Sequence, residues 1–162
     1  MNHDDTAVAE VWKAIKAQPV AMMTTMHEDE FVSRPMAAHA DSDEGLIYFV
    51  SQLESGKTHD IGTASPVNLS FSAPDKQTFV SVAGHATVSQ DREKLRELWN
   101  MWAEAWLPDG PDSPQTALIT VEPGEAVIWN SNSSKIVRTI KTAAAAITQS
   151  PPDMGTVSSV EL

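Results

Sequence analysis

Residues 51–58 read SQLESGKT and end in side chains that can bind an anion. The last three residues, G-K-T, match the end of the phosphate-binding P-loop pattern G-x-x-x-x-G-K-[ST], but Ser51 stands where its first glycine belongs. We expect the stretch to follow a strand and to open a helix, whose free N–H groups attract anions. Ser55 and Thr58 add hydroxyl groups, and Lys57 adds a positive charge. The alternative interpretation is a capped helix with an exposed lysine.

A second cation, Arg34, lies within an apolar strand pattern in V-S-R-P-M. Pro35 follows it and cannot donate a backbone hydrogen bond, so we expect one edge of this strand to be unpaired. A free edge leaves backbone groups open to a planar ligand. Alternatively, Arg34 is an edge-strand arginine that faces water. The chain has only 11 Lys and Arg residues, so a phosphate site has few candidate cations.

The composition limits the class of protein. The chain has 162 residues, of which 41% are hydrophobic, and this is enough for one domain with a core. A formal net charge of −11 disfavours nucleic acids and anionic membranes as partners. Cysteine, a membrane-spanning apolar run and a signal-peptide pattern are all absent, so we expect a cytoplasmic protein. The five histidines lack metal-ligand spacing, and no metal site is predicted.

Short strands in hairpins must position the two cations. Apolar and β-branched runs separated by turn residues predict strands over 19–26, 31–41, 46–51, 67–72, 78–89 and 116–130. Gly84 interrupts one of these runs and predicts a bulge. Helical spacing predicts helices over 5–17, 55–64, 91–106 and 134–147. The order of elements favours an antiparallel barrel or sheet with added helices, and it argues against a P-loop nucleoside triphosphatase, which needs parallel strands in βαβ units.

The helix predicted over 91–106 carries the clearest apolar stripe. Its members recur at helical spacing: Leu95, Leu98, Trp99, Trp102 and Trp106. We expect this stripe to serve in packing or in a dimer contact. We assign residues 1–147 to one domain and residues 148–162, which are rich in Ser, Pro, Asp and Gly, to a flexible tail.

The ordered motifs S-R-P-M, L-I-Y-F-V-S-x-x-x-S-G-K-T, P-V-N-L-S-F and F-V-S-V-A-G-H-A resemble the pyridoxamine-5′-phosphate-oxidase-like FMN-binding split-barrel superfamily. The later stretches W-x-x-x-W-L-P-D-G-P-D-S-P and V-x-P-G-E-A-V-I-W are similar to its bacterial general stress protein branch. The resemblance covers about residues 8–146. It implies a mainly β, α+β fold, an antiparallel split β-barrel with flanking helices, that binds FMN at the interface of a homodimer.

The resemblance also implies which residues hold the phosphate of the flavin. Arg34 and Lys57 match the family's two phosphate-binding cations. Ser55, in the same turn as Lys57, would add a hydrogen bond, and Thr58 belongs to the same helix start. FAD is an alternative cofactor, because the phosphate site serves either flavin if the mouth of the pocket is open.

A second group of residues is implied for the isoalloxazine ring. Backbone and side chains around Pro35, Met36, Phe49 and Val50 would line one side of the ring. A tryptophan of the partner subunit, matching Trp129, would supply the other wall.

Two departures separate the chain from pyridoxamine-5′-phosphate oxidase itself. Phe79 stands where the oxidase has a flavin-contacting glutamine, and NSNSSKIVRT replaces its R-x-H-x-x-R segment. Because Lys135 or Arg138 would replace that segment only in part, we do not expect pyridoxamine phosphate oxidation. Three alternatives stay open: a flavin-dependent oxidoreductase reduced by NADH or NADPH, a flavin-binding stress protein without turnover, and a barrel that has lost its ligand. No residue is assigned a catalytic acid–base role.

Overall fold

Strands dominate the structure, a computed structural model that describes residues 3–54, 58, 61, 64–130 and 133–137. The strands in these ranges are β1 (Val20–His27), β2 (Glu30–Ala37), β3 (His39–Asp41), β4 (Leu46–Gln52), β5 (Ser65–Ala73), β6 (Thr78–Ser89), β7 (Thr116–Asn130) and β8 (Ser133–Val137). The helices are α1 (His3–Lys16), α2 (Arg92–Leu98) and α3 (Met101–Trp106), with a 3₁₀ turn at Pro74–Lys76. The predicted mainly β, α+β class is confirmed. No helix in these ranges is long and apolar enough to span a membrane.

All strand pairs are antiparallel, and the strands lie in the order β2-β1-β5-β6-β7-β4-β3. β6 occupies one edge of the long strand β7. The other edge of β7 pairs first with β4, through Thr116–Val121, and then with β8, through Ala126–Asn130. β2, at one end of this order, approaches β4, which lies near the other end, and no ladder joins the two among the described strands. The sheet therefore curls into an incompletely closed barrel.

The predicted bulge at Gly84 is confirmed by a shift of register between Ala83 and Gly84 in the β6–β7 ladder. A Cβ atom at Gly84 would lie 2.6 Å from the carbonyl oxygen of Glu122. Only glycine allows this approach without backbone movement. A bulge increases local twist, and it bends the long strands around the core.

Alternating side chains from the strands build that core. On β5, for example, Val67, Leu69 and Phe71 are buried, whereas Pro66 and Ser72 are exposed. Helix α1 covers one side with its buried residues Val8, Val11, Trp12 and Ile15. The helical spacing that predicted α1 is thus the spacing of its buried face.

The single helix predicted over 91–106 is wrong. The structure has two helices, separated at Trp99, because Asn100 starts a new one: its side-chain oxygen accepts hydrogen bonds from the backbone N–H groups of Trp102 and Ala103, each at 3.0 Å. The break also divides the predicted stripe. Leu95 is fully buried, whereas Trp102 is 70% exposed.

The helix predicted from residue 134 is also wrong at its start, because β8 occupies Ser133–Val137 and pairs with the end of β7. The β-branched pair Ile136 and Val137 favours a strand there. The remainder of that helix and the predicted tail, 148–162, lie outside the described residues. Of the helix predicted over 55–64, the structure describes Thr58 and Ile61 as helical and residue 64 as a bend.

Candidate functional site

A cleft of about 520 Å³ lies between the ends of β2 and β4 and helix α3. The strand wall consists of Val20, Pro35, Met36, Ala37, Val50, Ser51 and Gln52. The helix wall consists of Asn100, Trp102, Ala103, Trp106 and Leu107, and His39 completes the lining. The volume falls in the range of roughly 300–1,000 Å³ that is usual for small-molecule sites.

The unpaired edge predicted at Pro35 is present. Among the described strands, β2 is the last on its side of the sheet and pairs with β1 alone, where Pro35 lies opposite Met22. Pro35 therefore costs the sheet no hydrogen bond on its open side. The same open edge gives β2 room to form the cleft with β4.

The residues predicted for the ring divide into two groups. Pro35, Met36 and Val50 line the cleft. Phe49 is not among the lining residues, and its side chain is fully buried in the core. Trp129 is half-buried on β7, opposite Phe79, and does not line the cleft of its own chain.

Arg34 immediately precedes the cleft-lining segment of β2. Its side chain is half-buried, and Nη1 donates a hydrogen bond of 2.6 Å to Oγ1 of the buried Thr25 on β1. This contact ties the guanidinium group to β1, and Arg34 itself is not among the residues that line the cleft. Lys57 and Ser55, the other residues predicted for a phosphate, lie outside the described residues.

Thr58 is buried, and its hydroxyl group donates to the backbone carbonyls of Leu53 and, at 3.3 Å, of Gln52. A hydroxyl group has one proton, and here it is used to tie the helical residue to the end of β4. The oxygen can still accept a hydrogen bond. Thr58 is thus tied to the end of β4.

Polar groups in the lining are few and uncharged. Ser51 is buried and its hydroxyl donates to the carbonyl of Gln52 at 3.4 Å. Asn100 uses its side-chain oxygen to cap α3. Within the described lining there is no Lys, Arg, Asp or Glu. A molecule in this part of the cleft therefore meets apolar surface and neutral hydrogen-bonding groups.

His39 is the one titratable group in the described lining. Burial lowers its pKa below the ordinary value of 6.5, because the charged ring loses hydration. The ring is therefore neutral at physiological pH. On β4, Tyr48 lies opposite His39 in the ladder.

Tyr48 belongs to a charged cluster that fastens α2 to the sheet. Its hydroxyl donates to Glu44, and Nζ of Lys94 lies 3.0 Å from the same carboxylate and 4.9 Å from the centre of the Tyr48 ring. Burial, followed by the hydrogen bond to Glu44, raises the pKa of Tyr48 to about 12. The Tyr48 hydrogen bond, and then Lys94, lower the pKa of Glu44. The cluster positions α2, which precedes the cleft-forming helix α3.

Sequence reasoning missed most of the helix wall. Trp102 and Trp106 were expected to pack or to form a dimer contact, yet they line the cleft and remain 70% and 75% exposed. The available signal was Asn100, a strong helix-capping residue in the middle of an apparently continuous helix. Ser51 was noted only as a departure from a P-loop, although a serine in an apolar strand also indicates a polar contact.

Comparison with known proteins places this arrangement in a family. The family model for "Pyridoxamine 5′-phosphate oxidase like" proteins matches residues 6–153. The protein bli-3 of Neurospora crassa is 29% identical in an alignment of 129 residues that covers 73% of this chain. The match spans only 62% of the length of bli-3.

Solved structures give the same fold. A general stress FMN/FAD binding protein from Xanthomonas citri is 28% identical, with a TM-score of 0.68 over 78% of this chain and 89% of that one. A general stress family protein from Xanthomonas campestris is 27% identical, with a TM-score of 0.71 over 83% of this chain and 94% of that one. The chain belongs to the pyridoxamine 5′-phosphate oxidase-like family, and its barrel is the split barrel of that family.

Proposed function

We propose that the chain binds FMN in the cleft between β2, β4 and α3 and works as a flavin-dependent oxidoreductase, with FAD as the alternative cofactor. The observation that carries the proposal is an uncharged, largely apolar cleft whose strand wall includes Pro35 and Met36, the two residues that follow Arg34 in the chain. Such a cleft suits a flat ring system, and the adjacent cation suits a phosphate. The relative from Xanthomonas citri, described as an FMN/FAD binding protein, supports the choice of ligand.

In this proposal the isoalloxazine ring packs on Pro35, Met36 and Val50. The open edge of β2 would offer backbone groups to the polar edge of the ring, and Ser51 lies beside them. Phe49 supports this wall from behind, because its side chain fills the core beneath the strand. Its role is therefore to fix the position of β4.

The phosphate would lie outside the apolar part of the cleft, where Arg34 supplies one charge. Lys57 and Ser55 would approach it from the turn after β4, as the family resemblance implies. Thr58 would act as the anchor of that turn through its bonds to Gln52 and Leu53. A negatively charged protein needs such local cations to hold a dianionic group.

A homodimer is part of the proposal, because the outer surface of β1 and β2 carries no charged side chain. The outward residues are Val20, Met22, Thr24, Met26, Phe31, Ser33, Pro35 and Ala37. Charged residues make up 20% of the chain, so their absence from this surface is informative. The centres of protein interfaces are depleted of charge, and most homodimers have two-fold symmetry.

The order of strands gives this dimer a consistent geometry. β5 lies in the middle of the series β2-β1-β5-β6-β7, so a two-fold axis parallel to the strands and over β5 exchanges the sides of β2 and β7. The partner's Trp129 would then approach the β2 end of the cleft. Phe79, exposed beside Trp129, would share the interface.

When bound, the flavin would supply two-electron chemistry, and the chain would bind it, orient it and limit its contact with water. Met36 and Val50 provide the apolar contact. His39 would present a neutral ring to the ligand at physiological pH, because burial lowers its pKa. Without a charged acid or base in the described lining, the chain's own contribution would be binding and orientation.

The lack of a charged acid or base in the described lining also favours a second candidate function, a flavin-binding protein without turnover. Visible absorption spectra of the purified protein, before and after NADH or NADPH is added, separate the alternatives. A flavin band that bleaches and recovers in repeated cycles with an electron acceptor supports the oxidoreductase. A band that does not bleach supports the non-catalytic candidate. A colourless protein that takes up no FMN would refute both and favour the ligand-free barrel.

A further inference from the structure

Helix α3 presents two tryptophan rings to the cleft that the strand wall does not cover. Trp102 and Trp106 are one helical turn apart and therefore lie on the same side of the helix. Both line the cleft, yet they keep most of their surface exposed. Their exposed surface borders both the cleft and a smaller neighbouring hollow that Met101 and Ala105 also line.

This helix wall is held in place before any ligand arrives. Ala103 and Leu107 anchor α3 because both are buried, and Asn100 caps its first turn. The exposed rings are thus carried by a fixed segment, and ordering them costs a ligand little conformational entropy. Exposed aromatic rings on a fixed support are typical of stacking sites.

We propose that Trp102 and Trp106 bind a second ligand, an uncharged planar aromatic molecule of the size of a naphthoquinone, between their rings and the flavin. The inference rests on the proposed flavin site. Ring faces select flat molecules, through offset stacking. The described lining has no charged side chain, and the net charge of −11 repels anions, so a neutral molecule is favoured over a sulfonated or phosphorylated one.

Equilibrium dialysis of 1,4-naphthoquinone against the FMN-loaded full chain tests the proposal. The chain has no cysteine, so the quinone has no protein thiol to alkylate. Trp102→Ala and Trp106→Ala should each weaken binding roughly two- to tenfold, the value of one aromatic contact. Glu104→Gln is the control, because Glu104 is an exposed residue of the same helix that lines neither the cleft nor the smaller hollow formed by Met101, Trp102, Ala105 and Trp106. The sulfonated quinone should bind the wild type more weakly than the neutral one.

Two further readings in the same samples decide between explanations. Flavin absorbance reports FMN retention: if the wild type retains none, the proposed function fails, and dialysis against the flavin-free chain then tests the two tryptophans alone. Light scattering reports the oligomeric state. The proposal is overturned if both tryptophan variants bind naphthoquinone like the wild type. It is also overturned if they lose FMN in parallel, since the rings would then be a wall of the flavin site, or if they dissociate the dimer, since the rings would then be an interface.

Discussion

Replacing Arg34 by alanine should weaken FMN binding without affecting riboflavin. Arg34 is half-buried on β2, immediately before the cleft-lining Pro35 in the chain, and it donates a 2.6 Å hydrogen bond to Thr25. A charge-assisted hydrogen bond contributes about 1.5–3 kcal/mol, so loss of one phosphate contact should raise the dissociation constant of FMN roughly ten- to a hundredfold. Riboflavin has no phosphate, and its affinity should change little. Titration of the apo-protein with both flavins, followed by flavin fluorescence, measures the difference.

Arg96→Ala is the control for this experiment. It removes the same charge from an exposed side chain that pairs with Asp112 at 2.5 Å, away from the cleft. Its FMN affinity should stay near that of the wild type, which would exclude an effect of net charge. The phosphate assignment is refuted if Arg34→Ala weakens both flavins equally or weakens neither.

Three other predictions concern stability and titration. Gly84→Ala should lower the free energy of unfolding in urea by about 1–3 kcal/mol, because its Cβ would lie 2.6 Å from the backbone oxygen of Glu122. Gly124→Ala should lower it clearly less, because the nearest atom to its Cβ, the backbone oxygen of Ala83, is 3.5 Å away. Equal losses in the two variants would contradict the bulge argument. Ultraviolet titration of Tyr48, the single tyrosine, should have its midpoint at about 12, lowered in Glu44→Gln. The folded chain holds the Tyr48 proton more tightly than the unfolded chain does. The contribution of Tyr48 to the free energy of unfolding is therefore complete below about pH 10 and is lost as pH rises through the folded pKa. A midpoint near 10 in the folded wild type would rule out the raised pKa. The lowered pKa of His39 acts in the opposite sense: its contribution is complete above pH 6.5 and is lost as pH falls through the folded pKa. His39→Gln should therefore lose less stability than the wild type between about pH 7 and about pH 5, and identical losses would count against the buried neutral ring.

The antiparallel barrel could be predicted because its signals are local. Strands with alternating apolar and polar residues, such as β5, bury the side chain of every second residue. Gly84 lies at a position where a Cβ atom would clash with the backbone of Glu122. The edge position of Pro35 followed from its missing N–H group. Alternation alone does not separate Phe49 from the cleft, because the adjacent residues Val50 and Ser51 both line it; the burial of Phe49 depends on how the whole barrel packs.

The helix wall could not be read from periodicity. The spacing from Leu95 to Trp106 continues smoothly through Asn100, although the chain breaks there to start a second helix. Whether an aromatic residue is buried or lines a cleft depends on what the fold brings opposite it. The segments that lie across the cleft from Trp102 are the ends of β2 and β4, which are fifty or more residues earlier in the chain.

The position of the flavin ring in a crystal structure of the FMN complex tests the central claim most directly. We predict that the isoalloxazine ring lies against Pro35, Met36 and Val50, with its phosphate within hydrogen-bond distance of Arg34. A flavin bound elsewhere on the barrel, or a phosphate that Arg34 does not contact, would contradict this account.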